Sequence, residues 1–347
     1  RKEIQRSKYG VSENRSKLLP QINAIAGYSN NFDPPVSVTD GSSYGVPYNI
    51  TQTLQHSANA GLEMQMPLFN QTLYTSMSIA KVMEEISRLS YGKAREDVIL
   101  QISKMYYLGQ VTAEQIMLIK ANITRLEELR DITQAFFDNG MSMEVDLKRV
   151  NINLENLKVQ YDNAQAMMKQ QLNMLKYIMD YPAEKEIALT PVNTDSITTV
   201  ALTGLSENIY ELQLSQSQVQ LAERQKKIIT NGYIPSLSLT GSWRYAAYTD
   251  KGYHWFHSGP SNQWFRSYGV GLTLRIPIFD GLDKTYKIKK AMIDIENKRL
   301  AWEDARKNLQ TQYLNAVNDL MNNQRNFKKQ KDNYLLAEDV YAVTSDR

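Results

Sequence analysis

No proline falls between Pro67 and Pro182, and only Gly92, Gly109 and Gly140 interrupt that stretch; beyond Pro277 there is no further proline, and beyond Gly281 no glycine. These two residue types punctuate helices and strands, so two long segments are free to run as unbroken helices. Their apolar residues repeat in sevens. Between 141 and 180, Leu147, Val150, Leu154, Leu157, Tyr161, Ala164 and Met168 follow one another at alternating spacings of three and four. Ile288, Ile295, Trp302, Leu309 and Ala316 recur every seven residues, and after a four-residue shift the rhythm resumes at Leu320, Phe327, Tyr334 and Tyr341. Within 72–138 a rougher seam runs through Ile102, Ile116 and Ile123 with Met105, Ile119 and Leu126. A strict seven-residue repeat winds helices into a left-handed coiled coil, and a four-residue insertion relaxes the twist locally. A helix over 72–138 would be about 100 Å long at about 1.5 Å per residue, the length of a coiled-coil stalk. Asp138-Asn139-Gly140 interrupts it. Asn-Gly tolerates left-handed backbone, so the spacing predicts a tight turn folding 141–180 back antiparallel; a capped kink in one continuous helix is the alternative.

The remaining Pro, Gly, Ser and aromatic residues gather in 19–69 and 232–281, where the pattern changes to period two. In 268–278, Tyr268, Val270, Leu272, Leu274, Ile276 and Ile278 oppose Gly269, Gly271, Thr273 and Arg275. In 237–247, Leu237, Leu239, Trp243, Tyr245 and Ala247 oppose Ser238, Thr240, Ser242 and Arg244. In 60–68, Ala60, Leu62, Met64, Met66 and Leu68 oppose Gly61, Glu63 and Gln65; a weaker strand over 21–29 sets Ile22, Ala24, Ala26 and Tyr28 against Gln21, Asn23 and Gly27. Each is of the length a tilted strand needs to cross a bilayer. A sandwich would bury the apolar face in its own core. A membrane barrel would turn it to lipid, leaving Glu63, Gln65, Arg244 and Arg275 facing a wet lumen and Leu62, Met64, Leu239, Trp243, Leu272, Leu274 and Ile276 facing hydrocarbon. Trp243, Trp255 and Trp264, with Tyr245, Tyr248, Tyr253, Phe256, Phe265 and Tyr268, crowd into one short region. Such rings collect where one end is apolar and the other wet, which favours the barrel. Four strands leave two open edges, and known single-chain barrels begin at about eight strands, so several copies are expected to share one barrel.

Composition narrows the chemistry. Lys and Arg number 40 against 37 Asp and Glu, a net charge of +3, without the concentrated basic excess of a nucleic-acid binder. There is no cysteine, which removes thiolate nucleophiles, disulfides and Cys-ligated metals, and only His56, His254 and His257 remain. His254 and His257 form H-x-x-H around Trp255 and Phe256 without an intervening glutamate, a loop pattern rather than a metal motif. Glu84-Glu85, Glu127-Glu128 and Lys328-Lys329-Lys331 fall between seam positions, as solvated helix faces do. No phosphate-binding loop or nucleophile elbow occurs, so no catalytic residue, metal ligand or cofactor site is assigned. No run of 18 apolar residues suggests a membrane helix. Arg1 opens inside helix-like sequence, which suggests a processed chain.

The chain repeats itself. Gly61-Leu62-Glu63-Met64-Gln65-Met66-Pro67-Leu68-Phe69-Asn70 matches Gly271-Leu272-Thr273-Leu274-Arg275-Ile276-Pro277-Ile278-Phe279-Asp280 at an offset of 210, and Leu19-Pro20-Gln21-Ile22 matches Ile234-Pro235-Ser236-Leu237 at an offset of 215. With the segment from Phe137 to Leu147, these elements resemble the TolC-like outer membrane efflux protein family over nearly the whole chain. The resemblance implies a mainly α fold with membrane β. Long antiparallel coiled-coil helices would form a periplasmic tunnel, and four strands per protomer would join a trimeric 12-stranded barrel. Two internal repeats are implied. Residues 1–204 would hold a helix, a strand pair at about 19–69, the helices 72–138 and 141–180, and an equatorial segment at 182–204. Residues 205–347 would hold a helix at 205–231, a strand pair at about 233–279, and a helix at 282–347 that stops before its hairpin tip and gate. Phe137, Asn139, Gly140, Met143 and Asp146 would form the periplasmic tip that meets an adaptor. The implied protein is an outer membrane exit duct without enzymatic activity. Its partners would be two further copies, a periplasmic adaptor (membrane fusion) protein, an inner-membrane transporter and outer membrane lipid, with no nucleic acid. The alternative from the residues alone is a soluble or secreted coiled-coil scaffold with a partner-binding β-domain.

Overall fold

A computed structural model describes residues 1–33, 37–39, 42, 45, 50–52, 55–191, 204, 206, 208–249 and 264–345. In chain order the elements are α1 (Lys2–Ser16), β1 (Gln21–Asn30), β2 (Ser37–Thr39), β3 (Ile50–Gln52), β4 (His56–Phe69), α2 (Gln71–Asp138), α3 (Glu144–Ile178), α4 (Tyr210–Asn231), β5 (Ser236–Thr249), β6 (Trp264–Arg275) and α5 (Asp283–Ser345). The fold is mainly helical with four long antiparallel strands. It divides into two compact units, Arg1–Ser90 with Ser206–Arg347, and Tyr91–Leu205.

The four long strands make one sheet in the order β1-β4-β5-β6, each neighbour antiparallel, while β2 and β3 pair separately in a small ladder with no precedent in the sequence pattern. Among the described residues no closed sandwich forms: β1 and β6 are open edges, and every residue of β6 is exposed. β6 ends at Arg275, opposite Ser236. Ile276, expected on the lipid face, and Ile278 therefore lie beyond the strand. Pro277 has no amide to extend the ladder. The first repeat departs from simple alternation at its matching proline, where a register shift between Pro67 and Phe69 sets Phe69, rather than Leu68, across from Leu237.

The helices show the seven-residue pattern as burial. On α3, each of Leu147, Val150, Leu154, Leu157, Tyr161, Ala164 and Met168 is buried or half-buried among mostly exposed neighbours. On α2 the same holds for Ile102, Met105, Ile116, Ile119, Ile123 and Leu126. On α5 the four-residue shift falls one heptad earlier than expected. Tyr313, Val317, Leu320 and Gln324 are half-buried, whereas Ala316 is exposed and Phe327, Tyr334 and Tyr341 are 39%, 66% and 74% exposed. Tyr313 offers more area to cover than Ala316, and burial follows area. The expected helices over 141–180 and 205–231 begin later, at Glu144 and Tyr210.

Both long helices open on a side chain from the end of the repeated motif. Asn70 Oδ1 accepts hydrogen bonds from the amides of Thr72 at 3.1 Å and Leu73 at 3.3 Å, satisfying donors that a helix start leaves orphaned. Its counterpart Asp280 accepts from the Lys284 amide at 3.2 Å and pairs with the Lys284 ammonium at 2.9 Å. Here Gly281 and Leu282 both take φ near +67°, which delays α5 until Asp283.

Candidate functional site

Directly opposed residues of an antiparallel ladder share a face, so the registers sort the sheet into rows. One face carries Ile22, Met64, Gly241 and Val270 in a row, flanked by Met66, Leu239 and Leu272 on one side and Ala24, Leu62, Trp243 and Tyr268 on the other. Leu237 and Leu274 extend the aliphatic end. At the opposite end Tyr28, Tyr245, Arg266 and Trp264 join the same face. Aliphatic rows thus give way to an aromatic belt, with Trp243 and Tyr245 in edge-to-face contact at 5.3 Å between ring centroids. This face is open: Val270 is 80% exposed, Leu272 66% and Leu274 60%. In water such a patch marks an interaction surface.

The other face is mostly polar and small, with Ile25 and Phe265 as its large apolar members. Its rows include Gln21, Gln65, Thr240 and Gly271, then Asn23, Glu63, Ser242 and Gly269, then Gly61, Arg244 and Ser267. Arg244 and Glu63, diagonal neighbours on this face, form an ion pair. Glu63, Gln65 and Arg244 line one concave patch with Asn23, Thr240 and Ser242. Arg275 shares the face but stands at its far end, across from Ser236. Leu62, Met64, Leu239, Trp243, Leu272 and Leu274 all register on the apolar face, and Ile276 has no register position. Gly61 could not be exchanged for alanine without strain, because a Cβ there would run into the Trp243 carbonyl oxygen and lie 2.9 Å from Arg244 Cα.

In the second unit, the end of α2 carries a left-handed cap. Gly140 has φ +70°; the Met141 amide donates to the Phe136 carbonyl at 2.8 Å and the Gly140 amide to the Phe137 carbonyl at 2.9 Å. Those two bonds satisfy orphan carbonyls at the helix end. Ser142 Oγ donates to the Thr133 carbonyl at 3.4 Å, and Ile116 lines one groove with Asp162 and Leu172, so the chain turns back rather than kinking onward. Met143 occupies the N-cap of α3 with no side-chain hydrogen bond, leaving Glu144 and Asp146 in the first turn to complement the helix dipole. Phe137, Asn139, Gly140, Met143 and Asp146 therefore cluster around one turn, with Met143 74% exposed. Farther along, the segment that follows α3 docks on α2: Gln110 Nε2 donates to the Thr190 carbonyl at 2.6 Å, and Leu189 lies over Gly109.

Sequence reasoning did not identify the capping roles of Asn70 and Asp280, although an Asn or Asp just ahead of a breaker-free segment is itself a helix-start signal. It also did not anticipate the buried bond from Asn231 Nδ2 to Thr75 Oγ1 at 2.6 Å, which joins the end of α4 to the fifth residue of α2. His254 and His257, with Tyr253, Trp255 and Phe256, lie outside the described residues. Among the described residues no three His, Asp or Glu side chains converge as a metal site, and no helix is long and apolar enough to cross a membrane.

The outer membrane protein TolC of Vibrio cholerae is 21% identical over 319 residues, covering 89% of this chain and 66% of its own length. Among solved structures, CusC, described in connection with transmembrane channel formation, matches with a TM-score of 0.70 at 16% identity over 89% of this chain and 68% of its own. The outer-membrane channel OprN matches with a TM-score of 0.70 at 14% identity over 91% and 68%. These structural likenesses concern the fold. Residues 1–179, from α1 through both helices of the first hairpin, match the sequence model of the family described as outer membrane efflux protein. With more than half its length matched, and with a sheet of one apolar and one polar face set among long helices, the chain belongs to the outer membrane efflux protein family.

Proposed function

We propose that this outer membrane protein is a passive exit duct, three copies of which share one 12-stranded barrel and carry substrate from periplasm to exterior. The observation that carries this reading is the open four-stranded sheet, whose exposed apolar face and unpaired edges suit neither water nor a lone chain. Leu62, Met64, Leu239, Trp243, Leu272 and Leu274 would meet lipid, and Glu63, Gln65, Arg244 and Arg275 would line the lumen. The chain would comprise two copies of one ancestral unit, 1–204 and 205–347, a division by descent that cuts across the compact units. Its long helices would build a periplasmic tunnel. The turn around Phe137, Asn139, Gly140, Met143 and Asp146 would meet a periplasmic adaptor, linking the duct to an inner-membrane transporter that supplies the driving force. No bond chemistry is required of the duct, since an open conduit needs only a wall compatible with water inside and hydrocarbon outside.

Membrane fractionation tests this. The protein is expected in outer membrane fractions after carbonate and urea washing, and as a trimer after detergent extraction. Recovery as a soluble monomer in the wash would instead identify a coiled-coil scaffold.

A further inference from the structure

The open edges, β1 and β6, carry enough information to specify how they meet. Residues of the first hairpin map onto the second at offsets of 215 for its first strand and 210 for its second. Under those offsets the observed pair Ala24–Leu62 becomes Leu239–Leu272, which is also an observed pair. Gln21–Gln65 likewise becomes Ser236–Arg275, and Asn30–His56 becomes Tyr245–Arg266, both again observed. A loop shorter by five residues has left the ladder register unchanged, so the hairpins are equivalent as pairing units.

The β4–β5 ladder is the seam where one such hairpin meets the next, with Leu62 opposite Trp243 and Glu63 opposite Ser242. Carried forward by the same offsets, that seam falls between β6 and the β1 strand of a second copy of this chain. We propose that β6 pairs antiparallel with β1 of a neighbouring copy in the register that sets Leu272 opposite the partner's Tyr28, Leu274 opposite the partner's Ala26 and Thr273 opposite the partner's Gly27. This rests on the shared-barrel reading above and deepens it by naming the register of the joint.

Three features agree with it. Strand direction alternates across the four strands, so β6 runs opposite to β1 and antiparallel pairing closes without a reversal. Faces match: Leu272, Leu274, Tyr28 and Ala26 belong to the apolar face, Thr273 and Gly27 to the polar one. Uncovered area matches as well, with Tyr28 48% and Leu272 66% exposed in the single chain. A slip of one residue would put Leu272 against the polar face; only slips of two keep the faces matched, and those are the competing registers.

The absence of cysteine makes the test clean. Leu272→Cys and Tyr28→Cys are introduced into separately tagged full-length chains, co-expressed, and oxidised in the outer membrane. Directly opposed residues hold their Cβ atoms about 4.5–5.5 Å apart and diagonal ones about 7–8 Å, while a disulfide needs about 3.5–4.5 Å. The expected result is a covalent hetero-tagged dimer, at several times the yield given by Leu272→Cys with Ala26→Cys or with Asn30→Cys. Because Tyr28→Cys removes the hydrogen bond between the Tyr28 hydroxyl and His56 Nδ1, the independent pair Leu274→Cys with Ala26→Cys reads the same register without it. Cross-linking only at the shifted pairs, or at none while the protein remains trimeric, overturns the register and leaves the duct standing. A soluble monomer overturns the duct itself.

Discussion

Leu272 lies on the apolar face opposite Leu239, inside the run of β6 between Arg266 and Arg275 that holds no charged side chain. At about 3.4 Å per residue that run is about 30 Å of strand, and tilted it matches an apolar band about 25 Å tall. In the proposed barrel Arg at 272 would sit near the middle of the hydrocarbon, at about 2–4 kcal/mol per copy. If three copies share one barrel as proposed, their costs, close to independent at separated sites, would sum to about 6–12 kcal/mol per assembly, comparable with the whole stability of many folds. Thr273, the next residue, faces Ser238 on the polar side, and Arg there meets water at little cost. The assay is the fraction of outer membrane protein that migrates as trimer in unheated detergent gels. Leu272→Arg should abolish that band and Thr273→Arg should keep it. The reverse outcome would show that the faces are inverted; an unchanged trimer in both would mean that β6 does not face lipid.

Gly61→Ala should lower the stability of the sheet, read by urea titration, by about 1–3 kcal/mol, since the added Cβ meets backbone and not a movable side chain. Gly269→Ala, whose nearest neighbour is Ser242 Oγ at 3.9 Å, should be neutral in the same urea titration. Met143→Ser should add the missing side-chain cap of α3, worth about 0.5–2 kcal/mol, and slow amide exchange over 144–147; unchanged exchange would show that the cap is not limiting. The Asp280 carboxyl is held below the ordinary aspartate range, chiefly by its side-chain bond to Lys284. A depressed folded value means that the stabilisation is present above the ordinary aspartate range and is lost as pH falls through the depressed one. The protection of amides in the first turn of α5, taken relative to the intrinsic exchange rate at each pH, should therefore fall on acidification below that range, and Asp280→Asn should flatten the dependence.

Much of the architecture was legible because its signals are local. Seven-residue spacing on 147–168 marks the buried stripe of α3, and alternation along β5 and β6 assigns Leu239, Leu272 and Arg244 to faces before any partner strand is known. The turn at Asn139-Gly140 was legible for the same reason: left-handed backbone is a property of one or two residues. The sites that escaped notice depend on neighbours distant in sequence. That Gly61 faces the Trp243 carbonyl, that Asn231 reaches Thr75, and that Leu189 settles over Gly109 are consequences of packing.

The strand order β1-β4-β5-β6, the slip between Pro67 and Phe69, and the end of β6 at Arg275 belong to the tertiary structure alone, as does the earlier shift of the α5 seam to Tyr313. Periodicity tells a strand which side is apolar, but not which backbone it pairs with or where the pairing stops. That choice is made jointly by two segments that sequence position leaves far apart, through hydrogen bonds that exist only once both are in place.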